Sequence, residues 1–356
     1  MGLLEELSSK RIERRDFLKL CGAVTAAFSL PLTFQDHIAS AAEQAMAKPR
    51  VIWLEGQDCA GCSESFLATM NPSVAELVLD TLSIRYHETI MGASGEVAEK
   101  ALRDTMKEGG YILVVEGSIP KADDRFCLVG GKPFRETVME VAENAALVIG
   151  AGSCAMYGGG IPGATPSMGG GVGEFVKNKP LINLPSCPVK PSRLVATVLY
   201  YLAAKKAPPL DSYNRPVAFY GSLIHDNCPR RGQFEKGNFL TDWNDPEQRG
   251  YCLLKKGCKG PKTYSDCAQV WWNEGASFCM NAGAPCAGCG QPEFYKEFSP
   301  LYANQETLGI GFGKSVNVDT AGAFVIGATA AGVAVHGIGR VIAGKGPDAN
   351  KEDELG

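Results

Sequence analysis

Residues 51–65 read VIWLEGQDCAGCSES, a short apolar run followed by a turn and two cysteines with two residues between them. Val51–Leu54 has the continuous hydrophobicity and the length of a buried strand. Similar apolar runs recur at Tyr111–Val115, Ala146–Ile149 and Leu181–Leu184. Segments with helical spacing lie between them, at 73–83, 96–108 and 133–144. This alternation predicts an α/β domain built on a doubly wound parallel sheet.

Four cysteines come directly after the predicted strands. Cys59 and Cys62 follow the first strand, Cys154 follows Ala146–Ile149, and Cys187 follows Leu181–Leu184. Ligands of doubly wound sheets lie beyond the carboxyl ends of the strands. The sequence therefore predicts that these thiols meet at one edge of the sheet.

The composition points to metal ligation rather than to nucleic acid or disulfides. The chain has 356 residues, enough for two domains, and a net charge of −4 without any basic cluster that could follow phosphates. Its 13 cysteines are too sparse for a disulfide-stapled scaffold and too many for a few inert thiols. The CxxC pairs at 59/62 and 286/289 each fit a metal, and each alone could hold zinc.

The second half of the chain has a different character. Val217–Tyr220 predicts a final strand after a proline-rich linker at 207–216. From about 225 to 300 the sequence shows little periodicity and many Gly, Pro, Cys and aromatic residues. Such a segment cannot hold itself by packing alone, so metal clusters are expected to supply its missing core.

The first 47 residues look like an export signal rather than part of the fold. The run Arg14-Arg15-Asp16-Phe17-Leu18-Lys19 is followed by an apolar stretch, Leu20–Leu32, and by small residues such as Ala39-Ser40-Ala41. This anatomy predicts a twin-arginine signal, with a short amphipathic helix as the alternative. Because this route carries folded proteins, the metal is expected to be inserted before export. The mature chain is then expected in the periplasm or on the outer face of the cytoplasmic membrane.

Six cysteine motifs carry a specific resemblance. They are DCAGCSES (58–65), GSCA (152–155), PSCP (185–188), HDNCP (225–229), GCKGP (257–261) and PCAGC (285–289). In this order they resemble the small subunits of nickel–iron hydrogenases, over about Val51 to Pro300. The resemblance implies three iron–sulfur clusters in a line and no catalytic residue on this chain, because the nickel–iron site belongs to a large subunit.

The resemblance also implies which side chains hold each cluster. The proximal set consists of Cys59, Cys62, Cys154 and Cys187. The distal set consists of His225, Cys228, Cys252 and Cys258. The medial set consists of Cys267, Cys279, Cys286 and Cys289. Cys127 is left over and is interpreted as a small buried hydrophobic residue.

Two of these assignments have alternatives. His225 could be a surface or hydrogen-bonded histidine, but its position three residues before Cys228 favours a ligand. Cys279 stands where many family members have proline, which leaves three thiolates and a three-iron cluster. The thiol predicts a four-iron medial cluster and therefore three 4Fe-4S clusters, as in the nickel–iron–selenium branch. If Cys279 is not a ligand, the medial cluster is 3Fe-4S.

These expectations define the function and the organisation of the chain. The chain is expected to pass electrons between the large subunit and a cytochrome or quinone-linked membrane acceptor. One alternative is an iron–sulfur subunit of another membrane-linked oxidoreductase, and another is a secreted zinc- or disulfide-stabilised binding protein. The expected divisions are the signal (1–47), a flavodoxin-like domain with the proximal set (48–210), an irregular, cluster-stabilised domain with the other two sets (211–318), and a tail (319–356).

The tail is a marginal candidate for a membrane anchor. Ala321–Val335 is uncharged, the run extends to Gly339 if His336 is accepted, and Arg340 and Lys345 follow it. A spanning helix needs about 20 mainly apolar residues, and this run is shorter. The alternative is a buried helix that docks on the large subunit.

Overall fold

The computed structural model describes residues 22, 28, 48–70, 73–78, 82–158, 167–272, 275–295, 297–298, 307–311 and 314–343. The twin-arginine motif therefore lies outside the described residues, as does most of the predicted signal. The chain divides into two compact units, Met1–Ala303 and Asn304–Gly356.

A five-stranded sheet forms the centre of the first unit. Its strands are β1 (Arg50–Glu55), β2 (Ser83–His87), β3 (Tyr111–Glu116), β4 (Ala145–Ala151) and β5 (Leu181–Leu184). The spatial order is β2-β1-β3-β4-β5, and every neighbouring pair is parallel. This order is that of flavodoxin-like folds, which confirms the predicted doubly wound class.

Nine α-helices or helical turns lie within the described residues between 48 and 298. They are α1 (Gly61–Leu67), α2 (Val74–Glu76), α3 (Gly95–Glu108), α4 (Phe134–Glu143), α5 (Gly152–Tyr157), α6 (Val172–Phe175), α7 (Pro191–Ala204), α8 (Val217–Tyr220) and α9 (Arg231–Glu235). Alternate strand residues enter two separate cores, one beneath α7 and one beneath α3 and α4. The strands β1, β3 and β4 are therefore apolar on both sides, as buried parallel strands are.

Phe28 is a described residue of the predicted signal, and it packs on the first core. Its ring centroid lies 4.7 Å from that of Tyr200 and 5.1 Å from that of Phe219. Its side chain is buried in this contact.

One sequence-based assignment is wrong, and one strand was missed. Helix α2 lies within the predicted helical segment 73–83, but the strand β2, which begins at Ser83 and pairs with β1, was not predicted. The strand predicted at Val217–Tyr220 is the helical turn α8. In this turn the backbone N–H groups of Phe219 and Tyr220 donate hydrogen bonds to the carbonyl oxygen of Pro216 at 3.0 and 3.1 Å. Local hydrophobicity indicated burial at both places, but it could not tell a strand from a helical turn.

The part of the first unit after α7 is irregular, as predicted. Besides α8 and α9 it has short 3₁₀ turns at Ile224–Asn227, Pro246–Gly250, Leu254–Lys256, Gly260–Lys262 and Asp266–Ala268. Its small hydrophobic cluster contains Ile224, Leu240, Leu253, Phe278, Met280 and Cys286. Several partly buried cysteines pack against this cluster.

The second unit contains a hairpin and one long helix. The hairpin pairs Thr307–Gly311 with Lys314–Asn317, and helix α10 (Val318–Ala343) follows directly. Within α10, Ala323–Val341 has a mean hydropathy of 1.4, and its side chains are exposed in the chain by itself. The helix is thus longer than the uncharged run, and by length and composition it can cross a membrane.

Candidate metal centres

The proximal set lies at the carboxyl edge of the sheet, where the strand pattern predicts it. Cys59 and Cys62 lie at the start of α1, Cys154 is in α5, and Cys187 follows β5. Burial, followed by the Glu116 carboxylate, raises the pKa of the Cys62 thiol, with smaller contributions from Cys154 and Cys187. Burial raises the pKa of Cys187 as well, with Cys59 as the second cause. The fold therefore brings the four thiols together from three separate strand ends.

Two glycines leave room for the proximal sulfur atoms. A Cβ on Gly152 would lie 2.5 Å from the Cys62 sulfur, and the φ of this glycine is +82°. A Cβ on Gly61 would lie 3.1 Å from the Cys59 sulfur. Glycine is needed at 152 because both the backbone conformation and the closeness of the sulfur exclude a side chain.

Glu116 supports the proximal set, and the sequence reading missed it. Its carboxylate accepts hydrogen bonds from the Cys62 backbone N–H at 2.9 Å, from Trp53 Nε1 at 3.1 Å and from Ser63 Oγ at 2.6 Å. Burial raises the pKa of Glu116, and these hydrogen bonds oppose that shift. The signal in the sequence is the single carboxylate at the end of an otherwise apolar strand. A carboxylate that is buried there needs hydrogen-bond donors close by, and the cysteine-rich turn after β1 supplies them.

The distal set lines a single cavity. His225, Cys228, Cys252 and Cys258 all border it, together with Met280. The Met280 sulfur lies 3.7 Å from that of Cys228 and 4.0 Å from that of Cys258. Burial lowers the pKa of His225, which favours the neutral imidazole that binds metals. The structure thus places the predicted histidine beside the three thiols.

The medial set lies between the other two. Burial raises the pKa of Cys289 to about 12, with Cys267 as the next cause and with smaller contributions from Cys279 and Cys187. Burial also raises the pKa of Cys279, and Cys267 is its second cause. Cys279 is exposed, whereas Cys286 is buried. Cys279 therefore interacts electrostatically with Cys267 and Cys289, two of the other three cysteines of the predicted medial set.

Hydrogen bonds join the medial set to each of the other two sets. The Cys286 backbone N–H donates to the Cys258 sulfur at 3.4 Å, which joins the medial set to the distal set. On the other side, the hydroxyl of Ser153, the neighbour of Cys154, donates to the carbonyl oxygen of Cys289. The medial set therefore has one neighbour on each side.

The donor chemistry fits iron–sulfur clusters. The twelve cysteines that the structure describes are free thiols. Among the described residues, no three His, Cys, Asp or Glu side chains converge enough for one metal ion. Each ligand of a cluster binds a different iron atom, so cluster ligands need not converge on one point. Burial raises the pKa of many of these thiols, and bound iron offsets that effect by stabilising the thiolates.

Cys127 stands apart from the three sets. It is partly buried and packs against the second core of the sheet. Burial raises its pKa to about 11, with Glu88 and Asp58 as further causes. Its packing against this core agrees with the predicted hydrophobic role.

Two family models match the chain in succession. Residues 59–201 match the model described as NADH ubiquinone oxidoreductase, 20 Kd subunit. Residues 220–302 match the model of the C-terminal part of the NiFe/NiFeSe hydrogenase small subunit. The second match covers the irregular region and speaks against a protein that has the sheet domain alone.

Curated relatives are similar over nearly the whole chain. The uptake hydrogenase small subunit of Azotobacter vinelandii is 42% identical over 334 residues, which cover 91% of either chain. The quinone-reactive Ni/Fe-hydrogenase small chain of Wolinella succinogenes is 41% identical and covers 93% of this chain and 97% of its own. The periplasmic [NiFe] hydrogenase small subunit 1 of Nitratidesulfovibrio vulgaris is 39% identical over 85% of this chain and 96% of its own.

Solved structures agree with these matches. The reduced, active Ni-Fe-Se hydrogenase of Desulfomicrobium baculatum matches with a TM-score of 0.68 and 34% identity. The alignment covers 72% of this chain and 100% of that one. The oxidised [NiFeSe] hydrogenase of Desulfovibrio vulgaris Hildenborough matches with a TM-score of 0.65.

Proposed function

The chain belongs to the family of nickel–iron hydrogenase small subunits, and from that membership we propose that it holds three iron–sulfur clusters in the order proximal, medial, distal. It is an electron-transfer subunit, and the hydrogen-activating site lies on the large subunit with which such chains pair. When bound, the clusters supply one-electron redox centres. The role of this chain is to bind the clusters, to exclude water from them and to provide the hydrogen bonds and charges around them.

The contacts between the sets are the observation that carries this proposal. The backbone N–H of Cys286 donates to the sulfur of Cys258, and the hydroxyl of Ser153 donates to the carbonyl oxygen of Cys289. The first hydrogen bond joins two proposed ligands of neighbouring sets. The second joins a proposed ligand to the residue that precedes Cys154, a proposed ligand of the next set. These contacts support three adjoining groups of four ligands, with the medial group in the middle. The thiol at position 279 supports a four-iron medial cluster, because it would supply the fourth ligand.

Metal analysis of the complex with the large subunit tests the proposal. We expect about twelve iron atoms on this chain, four for each cluster, and a broad brown absorption that hydrogen bleaches. Cys252→Ser should remove the distal signal alone, whereas Cys127→Ser, which changes a thiol outside the three sets, should leave the iron content unchanged. Bound zinc, or a colourless protein with disulfides, would reject the assignment.

We also propose export to the periplasm and a membrane-bound electron acceptor. One relative is named periplasmic and another quinone-reactive, and both align with most of this chain. The twin-arginine pattern at 14–19 supports export. The boundary proposed near 210 agrees with the gap between the two family matches, 59–201 and 220–302.

Helix α10 is proposed as the membrane anchor, and arginine substitutions test it. Gly332→Arg, in the middle of Ala323–Val341, should shift the enzyme from the membrane to the soluble fraction. An arginine at the centre of a span costs about 2.5–3.5 kcal/mol on insertion scales. Ala343→Arg, at the end of the same helix, is the matched control and should leave the enzyme bound. Fractionation after export measures both, and membrane retention after deletion of 304–356 would reject the anchor.

A further inference from the structure

Arg193 is a fully buried cation in the first unit. Its side chain is 1% exposed, in α7, and its guanidinium lies 4.9 Å from the ring centroid of Tyr220. Nη1 donates to the hydroxyl of Tyr220 at 3.2 Å, and both Nε and Nη2 donate to Asp266 Oδ1. The ion pair therefore connects α7 to the 3₁₀ turn Asp266–Ala268, which contains Cys267. A buried cation without such partners would be very costly.

The same guanidinium reaches the sulfur of Cys267. Arg193 Nη2 lies 3.5 Å from this sulfur and also donates to Ser265 Oγ at 2.7 Å. Ser265 Oγ in turn lies 3.0 Å from the Cys267 sulfur. Because the serine oxygen accepts from the arginine, its own proton is available for a thiolate. Cys267 is therefore approached by a cation and by a hydroxyl that the cation orients.

We propose that Arg193, Ser265 and Asp266 set the reduction potential of the medial cluster by acting on Cys267. This inference rests on the proposed function, in which Cys267 is a medial ligand. Hydrogen bonds to cluster sulfur atoms and nearby positive charge stabilise the reduced form, which is the more negative one, and so raise the potential. Asp266 acts in the opposite direction, because its carboxylate balances part of the arginine charge. All three are positioning residues that act through the ligand.

Substitutions with opposite expected signs separate this role from simple packing. Ser265→Ala removes the hydroxyl that faces the sulfur but leaves the ion pair, so the medial potential should become more negative. Asp266→Asn removes the carboxylate and leaves the arginine charge unbalanced, so the potential should become more positive. A purely structural role would not predict opposite shifts from these neighbouring changes.

Ser277→Ala is the matched control. Ser277 lies two residues before Cys279, as Ser265 lies two before Cys267, but its hydroxyl is 3.4 Å from the carbonyl oxygen of Phe278. Loss of this hydroxyl should leave the medial potential where it is in the unchanged enzyme. The two variants therefore change the same residue type at the same sequence separation from a proposed ligand.

The measurement is a redox titration of the medial cluster by electron paramagnetic resonance, made on the complex with the large subunit. A negative shift in Ser265→Ala with a positive shift in Asp266→Asn supports the proposal. Unchanged potentials, or shifts of the same sign, overturn it. Loss of medial iron from Ser265→Ala would also overturn it, because the contact would then be structural. If the unchanged enzyme lacks a medial cluster, the proposed function itself fails.

Discussion

Removal of iron is expected to unfold residues 211–298 while the parallel sheet stays folded. The irregular region contains short helical turns and one small hydrophobic cluster, in which Cys286 is a buried member. The sheet domain, by contrast, has two cores of strand and helix residues. Metal binding contributes on the order of 10 kcal/mol in small metal-dependent domains, as much as the net stability of a whole domain. Loss of two clusters should therefore remove most of what stabilises this region.

Hydrogen exchange on the complex, before and after anaerobic removal of iron, measures the effect. Backbone amides in 211–298 should lose nearly all of their protection, whereas those of Tyr111–Glu116 in β3 should keep it. Cys127→Ser with its iron in place serves as the control and should show the native pattern in both regions. If the irregular region keeps its protection without iron, packing alone holds it and the interpretation is wrong.

Cys279→Pro is expected to convert the medial cluster from four irons to three. The substitution removes one of the four proposed medial ligands, and the Cys267 thiol is close enough to raise the pKa of Cys279. Without a ligand for its fourth iron, a cluster of this type keeps three. The oxidised variant should then show a near-stoichiometric three-iron resonance that the unchanged enzyme lacks. The medial potential should also become more positive.

The comparison enzyme for this experiment is again Cys127→Ser, because Cys127 packs against the second core of the sheet and lies outside the three sets. It should show no three-iron resonance. A strong three-iron signal in the unchanged enzyme, purified without oxygen, would show that Cys279 is an inert thiol and that the medial cluster is 3Fe-4S. Metal analysis supports the reading of the spectrum, since Cys279→Pro should lose one iron atom and no more.

The sequence alone was enough for the fold class and for the choice of ligand types. Buried parallel strands are apolar along their whole length, so β1, β3, β4 and β5 could be recognised from short apolar runs. Cysteines that follow such strands must meet, because parallel strands end at one edge. The distal and medial sets came instead from the resemblance of their motifs to a family. Their region has no hydrophobic period from which contacts could be inferred.

Only the tertiary structure decided the remaining features. The strand β2 and the turn α8 have local patterns that fit more than one element, and their pairing and packing partners select one of them. Glu116 accepts a hydrogen bond from the backbone N–H of Cys62, which is 54 residues away in the sequence. Arg193 pairs with Asp266, which is 73 residues away. Local pattern reports the burial and spacing of a segment, but such contacts depend on how distant segments pack. Candidate ligands could therefore be proposed from the sequence, whereas the residues that contact them, Glu116 and Arg193, could not.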